Sequence, residues 1–125
     1  MGTRSLTFVY DDCDVPLINM YRQYDGYPSG HGAELAEFLD GFEIVNGFGE
    51  VKPKVANGMT CLAAQLIANF KKTVGGFYIH PVAETDCGQD YEYHVYETKL
   101  VVKNPGKVIF EGAWKDFAKF CAERT

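Results

Sequence analysis

A chain of 125 residues with 46% hydrophobic and 23% charged side chains has the make-up of one folded α+β domain, not of a disordered segment. Its net charge of −5 argues against general nucleic-acid binding, which relies on lysine and arginine to neutralise phosphates, and Lys52/Lys54 and Lys71/Lys72 are short solvated pairs that make no basic stripe. No apolar run nears the ~18 residues of a membrane span and no leader-like stretch opens the chain, so a cytoplasmic protein off the membrane is expected.

Ser5–Tyr10 is short, β-prone and reads as a first strand, broken by Asp11-Asp12-Cys13-Asp14. Three aspartates in four residues suggest a calcium loop, but the rest of that twelve-residue pattern is absent, and a solvated turn is expected. Val15–Tyr21 resumes an extended pattern and completes a hairpin. Gly26, Pro28, Gly30 and Gly32 then forbid regular structure. From Ala33, Leu35, Phe38, Leu39 and Phe42 recur at helical spacing, and Glu43–Lys54, with Gly47, Gly49 and Pro53, reads as an irregular connection.

Asn57 is placed to cap a second helix. Within it Met59, Leu62, Ala63, Leu66, Ile67 and Phe70 form the cleanest apolar stripe in the chain, stopped by Lys71-Lys72 and Gly75-Gly76. Phe77–Ala83 reads as a strand and Glu84–Asp90 as a turn. Tyr91–Thr98 alternates, with Leu100–Lys103 continuing or restarting it. Asn104-Pro105-Gly106-Lys107 is a strong turn signal, with Val108–Glu111 pairing back as a hairpin. A helix near Ala113–Glu123 carries Trp114, Phe117, Ala118 and Cys121 on one stripe. The expected order is ββααβββα, a single domain over residues 1–125 with a largely antiparallel sheet and helices packed on one face. The other face is expected to be wet and available for work.

Cys13, Cys61, Cys87 and Cys121 are scattered singly, so reduced thiols are expected, with Cys61 and Cys121 as small buried hydrophobes. His80 and His94 fall on consecutive strands. If those strands pair, the imidazoles together with Asp86, Cys87 or Asp90 have the ingredients of a metal site. The spacing matches no zinc signature, so no metal, cofactor or catalytic residue is assigned. Nor is there a Gly-x-Ser-x-Gly elbow.

The segment Tyr21 to Gly32 concentrates the chemistry. Arg22 offers a planar fork suited to phosphate or carboxylate. The glycine-flanked helix entry offers backbone N–H groups, His31 a further donor, and Tyr21, Tyr24 and Tyr27 stacking faces. Tyr21, Arg22, Tyr24, Asp25, Tyr27 and His31 are therefore the candidate ligand-binding residues, for an anion with an aromatic part such as a nucleotide. The structural alternative is a turn in which Asp25 pairs with Arg22 and the tyrosines pack.

Tyr21-Arg22-Gln23-Tyr24-Asp25-Gly26-Tyr27-Pro28, followed by Gly30, resembles a segment of small uncharacterised proteins of bacteria and their phages, which carry Tyr-Arg-x-x-Asp-Gly-Tyr-Pro between a strand and a helix. A looser likeness covers Val108–Trp114. The resemblance implies a stand-alone domain and, through a phage or mobile-element origin, a host-directed binding role. Three functions follow as alternatives. The first is a small binding protein, open to homo-oligomerisation, that holds an anionic ligand or a partner at Arg22–Gly32. The second is a protein-interaction module or inhibitor that meets a basic partner through Tyr91, Tyr93 and Tyr96. The third is an enzyme, which would need Arg22 and His31 to share a cleft with His80 or His94.

Overall fold

The computed structural model describes residues 2–47 and 51–124. Its elements are β1 (Ser5–Tyr10), β2 (Pro16–Arg22), a single π-helical turn (Pro28–Gly32), α1 (Ala33–Leu39), β3 (Glu43–Val45), β4 (Val55–Asn57), α2 (Gly58–Phe70), β5 (Phe77–His80), β6 (Tyr91–Val95), β7 (Leu100–Asn104), β8 (Lys107–Gly112) and α3 (Trp114–Ala122). The class is α+β as expected, but the expected order ββααβββα is not the observed one. Two short strands stand between the first two helices, and the long alternating stretch is two strands, so four strands precede the last helix.

The irregular connection after α1 contains β3 and β4, which pair in parallel from Glu43↔Val55 to Val45↔Asn57; the expected loop position Gly49 lies outside the described residues. Lys54 is exposed, as expected of a surface charge, but it also has a structural task. Its Nζ donates to the carbonyls of Glu37, Phe38 and Asp40 at 2.8, 3.2 and 2.6 Å, closing the C-terminus of α1 with a cation where the helix dipole favours one. Asn57 does not cap α2; its side chain accepts from the Gly47 N–H at 2.9 Å.

The main sheet runs β5-β2-β1-β6-β7-β8. β1/β2, β2/β5, β6/β7 and β7/β8 are antiparallel, and only β1/β6 is parallel. Alternation sends Val9, Met20, Tyr93, Val95, Leu100 and Val102 to one face, where they meet Leu35 and Leu39 of α1, Leu62 and Leu66 of α2, and Phe117 and Cys121 of α3. Burying a leucine here contributes roughly 1.5–3 kcal/mol.

The opposite face is not simply wet. Leu6, Phe8 and Tyr21 form a second buried cluster with Tyr10 and Cys87 packed against it. The cover is the 81–90 connection, which leaves edge strand β5 and passes over β2 and β1 to reach β6. Asn19, fully buried on β2, pins it: its Nδ2 donates to the carbonyls of Pro81 and Glu84 at 3.2 and 2.9 Å. A parallel junction needs such a crossing, and with no helix to make it, a side-chain amide supplies the hold.

Asn19→Ala is therefore expected to destabilise the fold by about 2 kcal/mol through two lost hydrogen bonds. Urea denaturation reads the loss, and amide exchange should quicken first within 81–90. Unchanged exchange there would refute the pinning role.

Candidate functional site

The segment with the densest chemistry is built around an inward-facing guanidinium. Arg22 ends β2 on the helix-bearing face and is 9% exposed. Its Nε donates to the Tyr24 carbonyl at 2.6 Å, one terminal nitrogen meets His31 Nδ1 at 3.1 Å, and the other meets the Glu34 carboxylate at 3.1 Å. The plane of the group lies over the Phe77 ring, 4.9 Å from its centroid. Each guanidinium nitrogen thus has an internal acceptor, and the acidic partner is Glu34, not Asp25.

His31 is fully buried, packed against Phe70 and Tyr93 at ring separations of 5.0 Å. Arginine can only donate, so Nδ1 of His31 must accept; Nε2 then carries the proton and donates to Thr7 Oγ1 at 2.7 Å. Burial, and after it the Arg22 charge, lower the imidazole pKa to about 3, so the ring is neutral at physiological pH.

The backbone around this pair is closed as well. The His31 N–H donates to the Asp25 carbonyl at 2.7 Å, and those of Gly30 and Gly32 to the Tyr27 carbonyl at 2.9 and 3.4 Å. The helix entry expected to expose N–H groups is a π-helical turn whose Gly30, His31 and Gly32 donors are taken by carbonyls just before it. Gly26 and Gly30 are close-approach residues. A Cβ on Gly26 would stand 2.8 Å from the Arg4 backbone, and one on Gly30 would stand 2.5 Å from the Asp25 carbonyl. Gly26 also presents its carbonyl to the buried Tyr93 hydroxyl at 2.7 Å.

Of the six residues predicted for the site, Arg22 and His31 come together in the interior. Tyr24 and Asp25 contribute carbonyls to the same network. The Tyr24 and Tyr27 rings face outward, 58% and 38% exposed, and the Tyr27 hydroxyl rests on the Asp25 carboxylate at 3.2 Å. Tyr21 alternates to the opposite sheet face, where its hydroxyl donates to Gln23 at 2.7 Å. Of the tyrosines expected to meet a partner, Tyr93 is fully buried and Tyr91 and Tyr96 are half-buried.

His80 and His94 do not lie on paired strands. Register links His80 to Asn19, Asn19 to Phe8 and Phe8 to His94, so they share a row and a face but stand three strand spacings apart, about 14 Å. Both lie across the sheet from Arg22 and His31, so no cleft joins the two pairs. His94 stacks on Phe8 at 5.0 Å; its Nε2 lies 3.0 Å from Glu92 and its Nδ1 2.6 Å from the Tyr10 hydroxyl. Burial lowers its pKa.

His80 instead meets Glu84, Nδ1 to carboxylate at 3.1 Å, and Cys87 Sγ at 3.9 Å. The sequence offered His80 and Cys87 but not Glu84; its signal was the i+4 spacing from His80, legible only once the crossing is seen to fold back. Burial, then the Glu84 and Asp86 carboxylates, push the Cys87 thiol pKa up, the reverse of what an activated nucleophile needs.

Comparison with protein-family models, curated proteins and solved structures yields no match. Among the described residues no helix is long and apolar enough to cross a membrane.

Arg22→Ala is expected to cost about 2–4 kcal/mol, because it strips donors from a part-buried carbonyl and a buried imidazole. Arg22→Lys should recover only part, since a point charge cannot serve three diverging acceptors; thermal and urea unfolding decide, and an unchanged melting temperature for Arg22→Ala would overturn the bracing role. A second expectation concerns pH. The folded pKa of His31 lies below its unfolded value of about 6.5, so its contribution is complete above that value and is lost as pH falls toward about 3. The unfolded chain takes up the extra proton, giving a slope of roughly 1.4 kcal/mol per pH unit from this group. Urea midpoints at pH 7 and pH 5 should fall accordingly, and less steeply in His31→Gln.

Proposed function

We propose that the protein is a small interaction module whose contact element is the turn from Gln23 to Gly30, and whose partner presents a basic, arginine-rich segment. The observation that carries this reading is the division of the turn into an inward half and an outward half. Arg22 and His31 hold the backbone from beneath. Tyr24 and Tyr27 stand in solvent with the Asp25 carboxylate beside them and the half-exposed Glu34 carboxylate near the base. Exposed rings on a fixed backbone supply contact area at little entropic cost, and tyrosine is favoured in interfaces. Carboxylates around aromatic faces suit a guanidinium, which stacks and pairs at once, and the net charge of −5 adds long-range attraction.

A phosphate or nucleotide at the same turn is disfavoured. Such a ligand would have to take Arg22 from Glu34 and Tyr24, would find the Gly30, His31 and Gly32 N–H groups occupied, and would face two carboxylates. A host-directed role, as the phage-like resemblance implies, fits a module that works by contact and not by turnover.

Fluorescence anisotropy with labelled arginine-rich peptides, at low and at physiological salt, tests the reading. Binding should weaken with salt and fall about tenfold or more in the Tyr24→Ala/Tyr27→Ala double variant, with the melting temperature unchanged. Equal affinities for wild type and variant would exclude the turn as the contact. Thermal stabilisation by nucleotides or inorganic phosphate would instead favour the anion-binding reading.

A further inference from the structure

We propose that His80, Glu84 and Cys87 form a binding site for one divalent transition-metal ion of the zinc class, with the remaining coordination position open to solvent. The three ligand atoms (imidazole nitrogen, carboxylate oxygen and sulfur) all lie within 4.8 Å of one another. His80 Nδ1 stands 3.1 Å from the Glu84 carboxylate and 3.9 Å from Cys87 Sγ. Four-coordinate zinc, with bonds of about 2.0–2.3 Å, requires ligand atoms about 3.3–3.6 Å from one another. Small side-chain rotations close that difference.

The site is a product of the crossing and not of local sequence spacing. His80 ends an edge strand, and the chain then doubles back so that residues four and seven positions later return to the same imidazole. Two side-chain amides hold the doubling. Asn19, the cross-strand partner of His80, fixes the carbonyls of Pro81 and Glu84, and its own Oδ1 is buried without a hydrogen-bond partner. Gln89 accepts from the Cys87 N–H at 2.8 Å and donates to the Thr85 carbonyl at 2.8 Å, bracing the turn that presents the sulfur.

Donor chemistry selects the ion. One sulfur, one nitrogen and one oxygen suit zinc-like borderline metals and not calcium or magnesium, which seek oxygen alone. The Glu84 carboxylate together with a Cys87 thiolate neutralises a dication, the thiol proton passing to solvent on binding. Asp86 adds a further negative charge, and the Arg4 guanidinium lies against Gly88. A second group, Asp11, Asp12 and Cys13, also converges. Its Asp11 carboxylate already accepts from the Cys13 and Val15 N–H groups and serves as the turn's internal cap.

The test is titration of the full-length reduced protein with Co²⁺. Saturation at one equivalent should produce a thiolate-to-cobalt charge-transfer band and the intense visible bands of a four-coordinate site, and Zn²⁺ should bleach them. Cys87→Ser should abolish the charge-transfer band, His80→Gln should weaken binding at least about tenfold, and Cys13→Ser should leave both unchanged. Absence of a charge-transfer band in the wild type would overturn the proposal. So would a band that survives Cys87→Ser, and loss of the band in Cys13→Ser would move the site to the first turn. These readouts do not involve the Gln23–Gly30 turn, so they stand apart from the peptide-binding reading.

Discussion

A positive charge kept in the interior beside an uncharged imidazole is the constraint on which the architecture turns. Arg22 ends β2, yet its side chain gathers a carbonyl from the following turn, a ring from the π-helical turn, a carboxylate from α1 and the face of an aromatic from β5. Thr7 on β1 ties the far side of the imidazole. Five parts of the chain, three of them close in sequence to Arg22 and two from β1 and β5, are thereby fixed to one point at the edge of the core. Removing water from a guanidinium is costly, and only a full set of acceptors makes the arrangement stable. Any of those parts shifting by an ångström would leave a buried donor or acceptor unmatched, so the cluster specifies position as much as it adds energy.

The sheet then works as a partition. Its helix-bearing face carries the apolar core and the Arg22–His31 knot. Its other face carries aromatic and imidazole side chains beneath the 81–90 crossing. The arginine and the three histidines singled out by the sequence are divided: His31 is sealed, His94 stacks with Phe8 and Tyr10, and His80 alone keeps company with a thiol and a carboxylate. The recognition proposed for the tyrosine-bearing turn and the metal site proposed for the crossing thus fall in separate parts of one small domain.

The stripes that needed only local periodicity were legible from sequence. Met59, Leu62, Ala63, Leu66 and Phe70 bury as their spacing implies, and Ser5–Tyr10 is the strand it resembles. What depended on distant partners was not. Nothing local says that Glu43–Val45 pairs with Val55–Asn57, or that β6 joins β1 and not β5. The Tyr21–Gly32 segment shows why composition misleads: glycines, an arginine and a histidine serve a ligand pocket or a tight internal junction equally well, and only the direction of Arg22 separates them. Glycine there answers to neighbouring backbone, at Gly26 and Gly30, and not to a visiting phosphate.

The lone parallel junction also governs the order in which the molecule can be made. β1 is the first strand of the chain and a central strand of the sheet, but one of its two neighbours, β6, arrives late: Arg4 and Asp90, which close that seam, are 86 residues apart. Until then the early hairpin carries Leu6 and Phe8 on an uncovered surface and a bare hydrogen-bonding edge on β1. In a chain made from its N-terminus that adhesive surface stays open until the last third is synthesised, a topology of the kind that slows folding.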